Sequence, residues 1–530
     1  MKYACKKSAG IVVAPHHLAA EAGARILGEG GNAIEAMIAA AAAITVVYPH
    51  MNSLGGDNFI LIGDGTMPLA IDACGAAARK ADVSFYRDRG LDDIPSRGPL
   101  AALTVAGAVS GWQMALEESK RRGGKIPLPR LFEDAIKYAR EGVPVTGTLN
   151  RNLSEKFNEL KDTRGFSDTF LINGTIPKVG QNLKLPALAK TLDYLSRVGL
   201  DDFYRGEVGE TIASELVACG SPLQIEDLRR HFPLGVKPLS VSLKCGTVYT
   251  MPPPTQGLAS MMILGLIDRM PVFKPESYGH IHTIVEATKQ AFKVRDQYIS
   301  DPEYMTIDPL EFLSESILDD MADQIDLNQA LSWPVSGPRG DTVWLGAIDR
   351  DGCAVSLIQS IYWEFGSGLV LPSTGVVWQN RGTSFGLGSD KTNSLIPFRR
   401  PFHTIHPAMA KLKDGRTMVY GTMGGEGQPQ TQAEIFTRYV QFRQGLEESI
   451  SGPRWLLGRT WGEETSKLRL ENRFEQFVFD KLIDAGHDIE IVGSFEEMMG
   501  HAGAVVRHND GLVEGASDPR CDGAATIEIT

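Results

Sequence analysis

Residues 337–368 read GPRGDTVWLGAIDRDGCAVSLIQSIYWEFGSG, and this stretch decides the fold. TVWLGAID alternates as a strand, RDG makes a turn, and CAVSLIQSIYW alternates again, so the pair predicts a β-hairpin. Upstream, DDMADQIDLNQALSWPVSGPRGD (319–341) is polar and ends in Pro338, Arg339, Gly340 and Asp341, which predicts a mobile linker. A linker that runs straight into a core strand beginning with Thr342 is what a chain needs if it is to be cut there. A Thr hydroxyl is a weak nucleophile and needs a base nearby. Once Thr342 is the first residue of a chain, its own α-amine, with a pKa of about 7.7–8.0, suits that work near neutral pH.

Around this stretch, the composition narrows the choices. A chain of 530 residues with 43% hydrophobic content can bury a large core and allows two to four domains. The net charge is −12, the charged fraction is 22%, and no Lys/Arg block appears, which argues against nucleic-acid binding. Six scattered cysteines form no CxxC pair and no zinc spacing, and predict reduced thiols in a cytoplasmic protein. MKYACKKSAGIVVAPHH, at the start, lacks the apolar run of a signal sequence. The longest apolar run, AIEAMIAAAAAITVV (33–47), contains Glu35 and is too short to span a bilayer; it predicts a helix buried against a sheet.

Short apolar runs alternate with Gly-rich turns over the first 120 residues: GIVVAP, a helix from about Leu18, the Ala-rich helix, then LGGDNFILIGDG. From about 125 to 330 the chain reads mostly as amphipathic helices, among them PRLFEDAIKYAREG and HTIVEATKQAFKVRDQYI. No repeat, heptad or low-complexity tract is present.

In sequence, the 337–368 stretch resembles the gamma-glutamyltransferase family, and the resemblance runs through nearly the whole chain. It is carried by APHHLAAEAGARILGEGGNAIEA, VVYPHMNSLGGDNFIL, MPPPTQG, EATKQAFKVRDQYISDP, RPFHTIHP, YGTMGGEGQPQ and GASDPR, in that order. The resemblance implies an α+β fold, a four-layer αββα sandwich of the N-terminal-nucleophile hydrolase type. It also implies one precursor that cuts itself between Asp341 and Thr342 into a large subunit (1–341) and a small one (342–530), both within one domain. The two fragments would stay together as a heterodimer, which can itself dimerise, and no cofactor or metal is implied. Ser360 would support the Thr342 nucleophile. Gly424 and Gly425 match the family's oxyanion-hole region, where adjacent glycines let backbone N–H groups approach a developing oxyanion.

The family's glutamate clamp is where the pattern breaks. The Arg expected in IDACGAAARKAD is Cys74, the Asp expected after VVWQN is Ser384, a polar Asn near the nucleophile is Tyr362, and a Ser-Ser pair is His403-Thr404. A head-group charge left unpaired in a closed pocket costs several kcal/mol, so glutathione-like peptides are poor candidates. Tyr362 and Trp363 are bulky and point to a smaller or flatter substrate. Arg381 stands where the family tends to have a neutral amide, and Arg can hold a carboxylate with two parallel bonds. The substrate-binding set is therefore Tyr362, Arg381, Ser384, His403 and Thr404, and the expected partner is a small acid amide. The chain is similar in this to the family's branch that hydrolyses oxamate in purine-nitrogen breakdown.

Other readings of the same residues stay open. Arg381 can equally be a surface or subunit contact. His16, His17 and His50 lack acid or Cys partners at ligand spacing and read as structural. Arg97 and Arg400 read as fold-holding ion pairs, and GEGGN (28–32) as a helix end rather than a phosphate cradle. The alternatives are a gamma-glutamyl transferase or glutathione hydrolase, a cephalosporin-acylase-like amidase, and an uncleaved binding module with the same fold.

Overall fold

The hairpin forms as expected: strand Asp341–Ile348 pairs antiparallel with strand Ala354–Tyr362. The computed structural model describes residues 4–7, 9–64, 66–333, 340–388, 392–458 and 465–529, with residue 341 through its backbone. The hairpin lies inside a seven-stranded antiparallel sheet, ordered Ala524–Ile527, Ile11–Ala14, Asp341–Ile348, Ala354–Tyr362, Asp57–Gly63, Leu69–Ala73 and Leu234–Val236. A second sheet of seven strands runs Ala4–Lys7, Val513–Ser517, Ala502–Arg507, Thr417–Thr422, Ala408–Leu412, Gly246–Thr250 and Leu239–Leu243.

Successive side chains on a strand point to opposite faces. On Asp341–Ile348, Trp344 and Ile348 therefore pack between the two sheets, while Val343, Leu345 and Ala347 join the helices outside. Phe59, Met409, Val419 and Val505 complete the layer between sheets. Helices Ala33–Val47 and Leu128–Glu141 cover one outer face, and Gly257–Arg269, Tyr278–Tyr298 and Gly427–Phe436 cover the other. The result is a four-layer αββα sandwich. The Ala-rich helix is buried along its whole length and starts on a capping box, in which Asn32 and Glu35 satisfy each other's backbone N–H. Its small side chains allow close approach: a Cβ added at Gly23 would stand 2.8 Å from the Ala36 carbonyl.

The structure corrects two expectations. Within the region read as mostly helical, Leu239–Leu243 and Gly246–Thr250 form a hairpin at the edge of the second sheet, because LSVSL alternates buried and exposed. The polar linker is ordered along its first half. Helix Glu315–Asp323 packs through Leu318 and Ala322, one helical turn apart, and Ile325 follows them into the core. Beyond it the chain is fastened. His282 Nε2 donates to the Asp326 carbonyl (2.8 Å), Lys289 Nζ to the Leu331 carbonyl (2.6 Å), and the Leu331 amide to Glu286 (3.0 Å). The Ala330 amide donates to the Ala485 carbonyl (2.8 Å). His282, Glu286 and His487 lie close enough to share an ion, yet Glu286 is already held by Lys289 at 2.7 Å. That cluster reads as an anchor. Residues 334–339 of the linker lie outside the described residues. No helix among the described residues is long and apolar enough to cross a membrane.

Candidate active site around Thr342

Thr342 is the second residue of an inner strand of the first sheet and is buried. Its ladder shifts here: Asp341 faces Tyr362 and Val343 faces Gln359, so Thr342 stands against two residues, Ser360 and Ile361. A bulge of this kind re-aims side chains and commonly sits beside active sites. The Thr342 Oγ1 donates to Ser360 Oγ at 3.3 Å, and Ser360 Oγ accepts the Tyr362 amide at 2.8 Å. The two hydroxyls expected to work together are thus in contact.

Tyr362 has φ 83°, in the left-handed region that a bulky residue rarely adopts. This backbone strain turns its ring beneath Arg381, whose guanidinium carbon lies 3.5 Å from the ring centroid. Arg381 opens a short 3-10 turn, Arg381–Ser384, and is 1% exposed, which rules out a surface contact within this chain. It donates to the Phe402 carbonyl and to Thr404 Oγ1, both at 3.1 Å. No carboxylate among the described residues reaches ion-pair distance from it. Burial pulls its pKa down to about 10, against the pull of Tyr362 and Asp57. A buried guanidinium with spare donors and no paired anion is a ready carboxylate site.

Gly424 (φ 120°) and Gly425 (φ 50°) follow the strand Thr417–Thr422, in backbone conformations suited to glycine. Gln256 holds them: its Nε2 donates to the carbonyls of Gly425 (2.8 Å) and Thr404 (2.5 Å). Arg295 donates to Gln256 Oε1 (3.1 Å) and pairs with Glu426 (2.6 Å). MPPPTQG also places His403, whose amide donates to the Pro254 carbonyl (2.9 Å). Gly340 fills the space between these elements. A Cβ added there would lie 3.0 Å from Gly425 Cα, 3.2 Å from Thr404 Oγ1 and 3.4 Å from Tyr362 Cε2.

Of the predicted residues, Thr342, Ser360, Tyr362, Arg381, Thr404 and Gly425 meet through these contacts. His403 lies beside Asp57, with its Nε2 3.4 Å from the carboxylate. Ser384 ends the Arg381 turn half-buried, with no hydrogen-bond partner for its Oγ among the described residues. Cys74 is buried, its amide bonded to Asp72, and its thiol is pushed well up, first by burial and then by Asp72. Arg400 is held by Asp72 and Asp301, each at 2.9 Å, and Arg97 by Glu159 at 2.6 Å, as fold-holding pairs. His16 caps helix His17–Gly28 by accepting the Leu18 amide, and GEGGN lies at that helix's end. Cys74, Arg230, Phe398 and Arg400 line a cavity of about 310 Å³ beside the site. Asp57, Gln256, Arg295, Glu426 and Gly340 escaped the sequence reading. An acid inside a Gly-Gly turn just before an apolar strand, GGDNFIL, was the available signal for Asp57.

Two facing antiparallel sheets, with a buried Thr as the second residue of an inner strand, define a hydrolase of the N-terminal-nucleophile architecture. The chain belongs to the gamma-glutamyltranspeptidase family, whose model matches residues 19–527. It is 51% identical over 521 residues to the oxamate amidohydrolase proenzyme of Klebsiella pneumoniae, covering 97% of this chain and 98% of that protein. It is 38% identical to the glutathione hydrolase-like YwrD proenzyme of Bacillus subtilis, over 97% and 98%. The crystal structure of a cephalosporin acylase from Bacillus halodurans superposes with a TM-score of 0.91 at 31% identity, covering 99% of this chain and 97% of that one.

Proposed function

We propose that this chain is a self-cleaving amidohydrolase with Thr342 as nucleophile, acting on a small acid amide such as oxamate to give oxalate and ammonia. Arg381 carries the reading. It is buried, stacked on Tyr362, and without a carboxylate partner among the described residues, while Cys74 and Ser384 remove the charged clamp that a glutamyl head group needs. Similarity to an oxamate amidohydrolase proenzyme supports the same substrate class.

In the precursor, Thr342 Oγ1 attacks the Asp341 carbonyl carbon, and the peptide bond becomes an ester by N→O shift. Water then cleaves the ester, leaving a carboxylate on Asp341 and a free α-amine on Thr342. Gly340, seated against Tyr362, Thr404 and Gly425, marks where the departing chain lies and where the substrate follows. In turnover, Thr342 Oγ1 attacks the amide carbon, the α-amine takes its proton and returns one to the leaving ammonia, and water clears the acyl-enzyme. The Gly424–Gly425 turn, clamped by Gln256, faces the developing oxyanion. The same reading places the enzyme in the cytoplasm, in purine-nitrogen breakdown.

Denaturing electrophoresis should give two fragments, the smaller starting at Thr342 and running to residue 530. Ammonia release should be fast from oxamate and far slower from a gamma-glutamyl anilide. A chain that splits at this bond as Thr342→Ala defeats the nucleophile assignment. A preference for glutathione or the anilide defeats the substrate class.

A further inference from the structure

We propose that Asp57 and His403 form a proton-holding pair that takes up one proton when the substrate carboxylate docks on Arg381, so that Asp57 is a positioning residue for anionic substrate. The inference rests on the acid-amide reading above.

Asp57 begins the strand that lies beside the hairpin, directly opposite Ser360, and is fully buried. One carboxylate oxygen is fixed by the amides of Gly75 (3.1 Å) and Gly107 (2.9 Å). The other oxygen faces His403 Nε2 at 3.4 Å, in ion-pair range but outside hydrogen-bond geometry. Neither ring nitrogen of His403 has a hydrogen-bond partner among the described residues, although the ring is fully buried edge-on to Phe59. Buried polar atoms are normally satisfied, so three orphans in one contact mark an arrangement completed by something else.

The charges around the pair define what completes it. Arg381 faces both Asp57 and His403, and Arg400 faces His403. Arg400 is already neutralised by Asp72 and Asp301. Cys74 and Tyr204, also near Asp57, are held protonated by burial, and the Thr342 α-amine of the cut enzyme is neutral in its working form as the base. Gln379 leans on the Asp57 carboxyl as a neutral donor. Arg381 and an ionised Asp57 therefore balance before substrate binds. A bound carboxylate adds one uncompensated negative charge in a water-poor pocket, where a charge is far more costly than in bulk. A proton on Asp57 removes it. Burial already lifts the Asp57 carboxyl to about 7, and it keeps His403 neutral, with Arg381 and Arg400 acting in the same direction.

The proton also changes what His403 can do. With Asp57 ionised, His403 Nε2–H points its proton at the carboxylate and Nδ1 carries a lone pair, which repels an anion. With Asp57 protonated, the acid O–H donates to Nε2, and the ring proton moves to Nδ1, now a donor. No covalent step is involved: enzyme, anion and one proton combine.

The mature enzyme tests this through the pH dependence of KM and kcat. For oxamate, KM should rise tenfold per pH unit above about 7, while kcat does not follow this group. For pyruvamide, the uncharged isostere, KM should stay level. In Asp57→Asn the amide N–H donates permanently to His403, so the KM for oxamate should stay low as pH rises. A level wild-type KM, or an Asp57→Asn variant that keeps the wild-type slope, overturns the proposal. Calorimetry with pyruvate, a monoanion that cannot be hydrolysed, gives a readout independent of turnover. In two buffers of different ionisation heat at about pH 8, wild-type binding should take up one proton and Asp57→Asn none. Absence of oxamate turnover with intact proton uptake would defeat the function reading alone. Binding without proton uptake would defeat this one.

Discussion

The Arg381 guanidinium carbon lies over the Tyr362 ring, 3.5 Å from its centroid, and Tyr362 holds that position at φ 83°. The strained backbone at the end of Thr342's partner strand and the buried cation are thus one unit. A desolvated cation–π pair is worth about 2 kcal/mol. Tyr362→Ala should raise KM for the acid amide by about 30-fold, and Tyr362→Phe, which keeps the ring, by little. Arg381→Ala should lower kcat/KM by roughly 1.5–3 kcal/mol and Arg381→Lys by less, since Lys keeps the charge without the planar fork. Both should still self-cleave, which gel analysis checks. Normal kinetics in Arg381→Ala would move the carboxylate to another group.

Gly340 is packed at 3.0–3.4 Å against Gly425, Thr404 and Tyr362 once given a Cβ. Gly340→Val should slow conversion of precursor to fragments, measured as the rate of band splitting after synthesis. Material that has split should turn over oxamate at the wild-type rate, because residue 340 ends up on the departing chain. Normal splitting of Gly340→Val would place the scissile segment elsewhere.

Gln256 supports the glycine turn from behind. Gln256→Ala leaves the Gly425 and Thr404 carbonyls and one Arg295 donor without their partner. Stability should fall by about 1–3 kcal/mol, and kcat by about tenfold, less than the 10²–10³ for removing an oxyanion donor outright. KM should change little. A loss confined to KM would remove Gln256 from transition-state support.

Asp57 predicts a pH-dependent stability. Its carboxyl holds a proton up to about 7 in the folded chain, and an unfolded aspartate only to about 3.9. Across that window the folded state carries a proton that the unfolded state lacks, so its stability contribution is complete below about 4 and lost by about 7. Asp57→Asn removes the slope. Relative to wild type, its melting temperature should climb from about pH 4 to about pH 7 and stay level above. A difference that does not vary with pH would show an ordinary Asp57 carboxyl.

The sequence made some parts readable because their cause is local. The hairpin was visible in its alternation, the Ala-rich helix in its length and composition, and Thr342 with Ser360 in strand positions that motif order supplied. What stayed hidden depends on contacts between distant segments. Gln256, Arg295 and Glu426 are each ordinary residues on or beside helices, and become a brace only when the second sheet brings them together. The strands at 239–250 are short and lie among helices, so helical context masked their alternation. Asp57 looked like a turn acid until the fold buried it beside His403. Gly340 was read as linker, and its seat in the pocket follows from where its neighbours pack.

The fastening of Asp326–Leu331 to His282, Glu286, Lys289 and Ala485 reaches past maturation. Ten residues separate Leu331 from the proposed cut, a span of at most about 36 Å. Opening that bond does not release a peptide into solution. It leaves the new end of the large chain tethered within that reach of its anchor. Under the proposed function, the segment ahead of the cut therefore stays with the enzyme through dilution and dialysis. Both sides of the cut then belong to one particle, and native mass measurement of the split protein should return the mass of the uncut chain plus one water.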